Sequence, residues 1–193
     1  ELWSAGSGGA KITASDTRGG GGGAYDERIF LAGDLADTVS VGVGAGGLGG
    51  TNTPGGDGGD TTFGSYLVVP GSIGSITAAT GASGASRGDV DGLPGFSGGV
   101  GRTAAVGRDS FFGGGGASGA NGSGNIAGGK SNLGGGAGSI GSGTVAGGVS
   151  THGGDGGNSD NTVPAKRPGG GGGAKYNTAG YPGAPGMAII YSW

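Results

Sequence analysis

Glycine fills sixty of the 193 positions of this chain, and it is bunched rather than spread. Gly19 to Gly23, Gly113 to Gly116, Gly134 to Gly136 and Gly169 to Gly173 are unbroken runs separated by segments that read as strands. Glycine loses more conformational freedom on folding than any other residue, so such runs become ordered only when something specific offsets that entropy. Either the runs are disordered, or their bare backbones pack together. A formal net charge of −3 with 12% charged residues is too weak to keep a chain solvated and open, and the apolar residues are grouped into β-type segments. A packed structure is expected.

The length suits one domain. With no cysteine, neither disulfides nor thiolate metal sites are available, so stability must come from backbone pairing and a modest core. No run of 18 apolar residues exists and Glu1-Leu2-Trp3 is not a signal peptide, so membrane insertion is not expected and the chain reads as a processed or excised piece. Ten Lys and Arg, scattered singly, argue against nucleic acid as partner, because phosphate binding needs clustered positive charge.

Several segments read as strands. Leu2 to Ala5 runs into glycines, and Ala24 to Leu31 follows the five-glycine run. Thr38 to Gly44 alternates strictly, with Val39, Val41 and Val43 on one side, the period-two pattern of a half-buried strand. Asp34 to Asp37 is a turn, Phe63 to Val69 a third strand stopped by Pro70-Gly71, and Gly186 to Trp193 the last. Helix signals are nearly absent. Trp3, Phe30, Phe63, Tyr66 and Trp193 sit in strand patterns and belong to a core or a subunit interface.

From about Gly81 to Gly173, single apolar residues are embedded in Gly, Ala, Ser, Asn and Thr. There is no sustained Gly-X-Y rule, so this is not collagen. Two readings remain. One is a flexible linker; the other is a lattice of extended polyglycine II helices, which lack internal hydrogen bonds and must pair with neighbours that only glycine lets approach closely. A ninety-residue linker inside one domain would be unusual, which favours the lattice. The expected fold is mostly β with irregular structure: a small β-sheet plus packed polyglycine II helices, with little or no α-helix. It forms a single domain over 1–193, with N-terminal strands in 1–80, lattice and loops in 81–173, and a C-terminal strand in 174–193.

Leu2 to Ala10, Gly19 through Leu31, Leu35 with Thr38 to Gly47, Thr61 to Ser65, and Gly183 to Ile190 together resemble the glycine-rich domain at the distal ends of bacteriophage tail fibres, including long-tail-fibre adhesins whose tip is a polyglycine II sandwich. Lys11 to Arg18 departs from the glycines of that pattern and is expected to form a loop of its own. The resemblance implies a virion protein, extracellular on the tail fibre. Its loops would bind a bacterial outer-membrane protein or surface polysaccharide, and it would associate with other tail-fibre chains, in a homotrimer or as a single-chain cap. No catalytic residues come with it.

Other motifs are weak. Gly124 to Ser131 matches a phosphate-binding loop, but Asn132-Leu133-Gly134 does not begin the required helix. Gly55 to Asp60 and Gly153 to Asn158 resemble fragments of a calcium-binding repeat without tandem copies, and turns are the better reading. Arg87-Gly88-Asp89 reads as a solvated turn rather than an integrin ligand, and His152, alone, builds neither a metal site nor a triad. No enzyme activity, cofactor or metal is expected. The candidate receptor-binding residues are loop aromatics: Phe111 and Phe112, and Tyr176 and Tyr181 flanking Asn177 to Gly180. Aromatic side chains supply large contact area at low entropic cost; the competing reading is that they cap the ends of the lattice. Ice binding by stacked helices would need a long flat series of Thr or Ala, which Thr51, Thr53, Thr61 and Thr62 do not supply.

Overall fold

A computed structural model describes residues 1–13, 16–74, 107, 109–111, 118–120, 125–176 and 178–192. Its regular elements are short. In chain order they are β1 (Leu2–Trp3), β2 (Ala10–Thr13), β3 (Asp16–Arg18), β4 (Tyr25–Asp26), β5 (Val41–Gly42), β6 (Gly50–Thr51) and β7 (Thr61–Phe63). There follow β8 (Leu67–Val69), β9 (Ser118–Ala120), β10 (Ile140–Gly141), β11 (Ala174–Lys175), β12 (Ala179–Gly180) and β13 (Met187–Ala188). A single 3-10 turn, Ala32–Asp34, is the only helical piece among the described residues. The protein is thus mostly strand and irregular backbone arranged in small sheets, ordered β13-β1-β4, β10-β11-β12, β6-β2-β3-β9 and β5-β7-β8.

The irregular backbone has a strict rule of its own, clearest in residues 4–10. Ser4 and Ser7 donate their N–H groups to Ala24 and Gly21, Ala5 and Gly8 to Gly59 and Gly56, and Gly6 and Gly9 to Ala184 and Tyr181, at 2.8–3.1 Å. Successive donors thus point in three directions and return every third residue, the signature of a polyglycine II rod with three residues per turn. The carbonyls follow the same rule: Gly6 and Gly9 accept from Gly47 and Gly50, Ser7 from Gly172, and Ala5 from Ser72.

Six rods therefore surround residues 4–10, and each bonds to the next. Going round, 44–50 bonds to 180–186 (Gly183 N–H to Gly47, 2.9 Å), that rod to 169–174 (Ala184 to Gly170, 2.7 Å), and that one to 18–24 (Gly20 to Gly172, 2.7 Å). Ser72 Oγ of the 71–74 rod donates to Gly21 at 2.9 Å. Gly58 of the 55–60 rod donates to Ser72, and Gly56 to Leu48 closes the ring. The packing extends sideways through 134–140, whose Gly135 and Gly138 donate to Gly23 and Gly20, Gly136 and Ser139 to Gly154 and Gly157, and Ala137 and Ile140 to Gly129 and Ile126. Rods occur in all three parts of the chain, so the lattice is not confined to 81–173.

This geometry explains which residues are glycine. A methyl group added at Gly6, Gly9, Gly20 or Gly172 would overlap a backbone carbonyl oxygen of a neighbouring rod, closer than any real Cβ contact. On rods at the surface, one residue in three escapes: Ala45, Leu48 and Thr51, then Pro54, Asp57 and Asp60, face solvent. Asp60 and Asp57, in the calcium-like fragment, use their carboxylates to accept the Gly71 and Gly74 N–H groups at 2.8 and 2.6 Å. In 180–186 the donors of Tyr181 and Ala184 go to one rod and those of Gly183 and Gly186 to another. The third direction, where a donor would be wasted on solvent, is occupied by Pro182 and Pro185, which lack an N–H and favour the extended helix.

Among the described residues, two apolar caps close the rod ends. At what we term the aromatic end, Leu2, Ala24, Phe63, Leu67 and Val69 form a buried cluster flanked by Phe30, Leu35, Val39 and Tyr66. Phe30 lies 5.7 Å from Phe63 and 5.9 Å from Tyr66 between ring centroids, so the expected core aromatics are core. Trp193 lies outside the described residues. At the opposite, hairpin end, Ile126, Ile140, Ala174 and Tyr176 pack together.

Three local expectations are corrected. Phe63 to Val69 is not one strand but the turn and second arm of a hairpin, β7 to β8, because Gly64 adopts φ +53°, a left-handed conformation that glycine takes without steric cost. The Val39, Val41, Val43 face is not half-buried: Val39 packs on the cap, while Val41 and Val43 are exposed and only Val41–Gly42 pairs in a strand. Lys11 to Thr13 and Asp16 to Arg18 pair antiparallel in β2 and β3 rather than forming a separate loop.

Candidate functional site

The expected site residues separate. Phe111 is 54% exposed near the aromatic end, its carbonyl accepting the Leu133 N–H at 2.8 Å. Phe112 lies outside the described residues. Tyr176 is corrected: at 7% exposure its ring fills the cap at the hairpin end with Ile126, Ile140 and Ala174, and it offers no platform to a receptor. Burial pushes its hydroxyl pKa up, and that hydroxyl has no hydrogen-bond partner among the described residues. Tyr181 is half-buried, held by main-chain bonds to Gly173 and from Gly9 within its rod. The structure therefore does not bring Phe111, Tyr176 and Tyr181 into one site.

What it does bring together at the aromatic end is a groove of about 730 Å³. β1 is the middle strand between β13 and β4, with Leu2 opposite both Ala188 and Asp26. Glu1 extends this pairing, donating to and accepting from Ile189 at 3.0 and 2.9 Å. The two flanking segments 27–31 and 189–192 line the groove from both sides. Phe30, Leu35, Phe63 and Leu67 also line it, and Ile29, Leu31 and Tyr191 are 81%, 73% and 63% exposed. The signal for this groove in the sequence was the loss of polar alternation in Ile29-Phe30-Leu31 and Ile189-Ile190-Tyr191.

Its electrostatics are mostly acidic. Glu1 and Glu27 line it beside Arg28, and the turn that follows Leu31 adds exposed Asp34 and Asp37. Tyr25 donates to Glu27 Oε2 at 2.5 Å, and burial together with this carboxylate holds the phenol protonated well above its usual range. Arg28 Nε is buried without an acceptor among the described residues. No group of three His, Asp or Glu side chains able to hold a metal gathers among those residues. The described part of the matched phosphate-loop segment, 125–131, is part of a rod rather than an anion cradle: Ala137 donates to Gly129, and the Lys130 N–H is taken by Asp109 at 2.7 Å.

A lattice of main-chain-bonded rods, with apolar caps and loops at its two ends, defines the class: a polyglycine II scaffold. The profile described as a glycine-rich domain matches residues 1–193, and the chain belongs to that family. No curated protein matches it significantly.

Proposed function

We propose that this protein is the tip of a bacteriophage tail fibre, binding a bacterial outer-membrane protein or surface polysaccharide through loops held on a rigid scaffold. The observation that supports the reading best is the concentration of exposed apolar side chains at one end of a body whose rods are bonded to each other in three directions. Contiguous exposed apolar surface marks interaction sites, and loops fixed by such a body lose little entropy on contact. Several fibres on one particle would multiply weak single-site binding. Phe111, with its neighbour Phe112, remains the receptor-contact candidate, and Tyr181 a lesser one.

The purely architectural reading, a fibre segment with no receptor, draws on the same apolar end. Binding of the fluorescently labelled protein to a panel of bacterial cells separates the two. The adhesive reading predicts saturable binding to some strains, weakened at least tenfold by Phe111→Ala and unchanged by Leu48→Ser on the lateral face. Absence of binding to every strain, or equal loss with both variants, contradicts it. Stacked-helix ice binding is disfavoured because the outward positions Ala45, Leu48 and Thr51 do not repeat one residue type.

A further inference from the structure

The alternation of Val39, Val41 and Val43 calls for a buried face, and β5 leaves that demand unmet. Val39 packs on the cap, but Val41 and Val43 are 46% and 53% exposed. β5 is also an outer strand: its sheet runs β5-β7-β8, and no strand lies on its other side among the described residues. The register fixes which backbone groups are open. Gly64 donates its N–H to Ser40 at 2.8 Å, and Val41 and Gly42 pair with Phe63 and Thr62. In an antiparallel pair, alternate residues turn both backbone groups toward the partner. Ser40 and Gly42 therefore face β7, while Val41 and Val43 turn their N–H and C=O groups outward. Exposed edges are normally blunted by charge, proline or a bulge. The open direction of the 180–186 rod carries Pro182 and Pro185; from Thr38 to Gly44 there is neither proline nor charge, and the β5–β7 register is regular.

We propose that the β5 edge is a two-fold dimer interface, on which a second copy of this chain lays its own β5 antiparallel. The inference goes beyond the attachment reading and does not rest on it. The open groups are self-complementary. With Gly42 opposite Gly42 of the partner subunit, Val41 meets Val43 of the partner subunit and Val43 meets the partner's Val41. Each of these two pairs exchanges two main-chain bonds, and such an isologous contact closes at two copies. The axis passes between the two Gly42 residues, a non-hydrogen-bonded pair whose Cα atoms approach to about 4.5 Å. Val41, Phe63 and Leu67 lie opposite one another across the sheet, so the four valines join the two aromatic caps into one apolar row and complete the burial that the alternation demands. Charge permits this register: Asp37, the last charge before β5, would lie beside the partner's 44–50 rod, whose outward Ala45, Leu48 and Thr51 are uncharged. Four bonds and four valines make a small contact, of the weak and reversible class that buries less than about 1,200 Å².

The experiment follows the whole protein by sedimentation equilibrium from about 1 µM to 2 mM, the range in which contacts of this size assemble, with amide exchange read by NMR at both limits. The interface predicts a monomer that becomes a dimer. Exchange at Val41 and Val43 should slow at least threefold at the higher concentration, and exchange at Gly42, already turned to β7, should not change. Val43→Pro deletes an outward donor at an edge position that accepts proline, and Val41→Lys sets a charge on the edge; each should weaken dimerisation at least tenfold. Mixing Val41→Lys with Val43→Glu, which the register places opposite each other, should restore a heterodimer. Both valines are about half exposed, so the melting temperature of each variant should stay near the parent's; if Val43→Pro melts lower, the Lys and Glu variants decide. Any of five results overturns the proposal: a monomer at every concentration, which leaves the edge to a strand of another protein; assembly beyond two copies; a dimer without slowing at Val41 and Val43; variants that dimerise as the parent does; or no heterodimer on mixing.

Discussion

Residues 4–10 and residues 44–50 are both glycine-rich rods of the same lattice, yet they obey different rules. The first is enclosed by six neighbours and is buried along its whole length. Its non-glycine members are small, and the two serines are used: Ser4 and Ser7 Oγ accept the Ala24 and Gly21 N–H groups, each at 2.8 Å. The second has one open side, and there Ala45, Leu48 and Thr51 stand where a buried rod would need a small residue. Glycine is therefore obligatory or optional according to which of three directions a residue faces, and high glycine content by itself says nothing about flexibility.

Substitutions that exchange the two rules test the comparison. The largest effect is expected for Gly9→Ala, whose new methyl overlaps the Gly173 carbonyl; steric overlap with fixed backbone should cost more than about 4 kcal/mol, beyond the usual range for core overpacking, and denaturant unfolding would measure it. Next is Phe63→Ala in the aromatic cap, expected to cost about 3–5 kcal/mol in the same assay because it opens a cavity. Ser7→Ala leaves the buried Gly21 N–H without its acceptor and should cost about 1–3 kcal/mol. Leu48→Ser, on the open side, should stay within about 0.5 kcal/mol. A Leu48→Ser loss equal to that of Gly9→Ala would remove the distinction between the rods.

The smallest expected effect concerns pH. Partial burial alone would raise the Asp155 pKa, but the Ser150 N–H and the Lys166 ammonium, 2.9 Å from its carboxylate, outweigh burial and hold it below the usual value. A depressed folded-state pKa stabilises the fold above the unfolded value, and that contribution is lost as pH falls through the folded one. The melting temperature of the parent should therefore fall more than that of Asp155→Asn on acidification from pH 5 to about pH 3. Identical pH profiles would show that the pair contributes nothing.

Much of this architecture is legible in the sequence. Clustered glycines, weak charge and absent helix signals lead to packed extended rods, because those are the only ordered state such runs can reach. The strand ends at Leu2, Tyr25 and Met187 were also visible, though shorter than their apolar runs suggest, since two residues of each are paired before the chain becomes rod or arm. The outward third positions were not legible, because direction depends on which rods lie beside a given one. Tyr176 failed as a surface residue for a related reason: it follows β11 in sequence, but its burial comes from Ile126 and Ile140 on rods far away along the chain. The groove was only partly legible, because its walls, 27–31 and 189–192, are brought together from opposite ends of the sequence by pairing with β1.

The central claim is that consecutive amides of one rod bond to three different segments. Scalar couplings across hydrogen bonds, measured by NMR on uniformly labelled protein, report it directly. The account predicts couplings from the Gly6 amide to the Ala184 carbonyl, from Ser7 to Gly21 and from Gly8 to Gly56. Couplings from all three amides to a single segment, as in a β-ladder, or none at all, would contradict it.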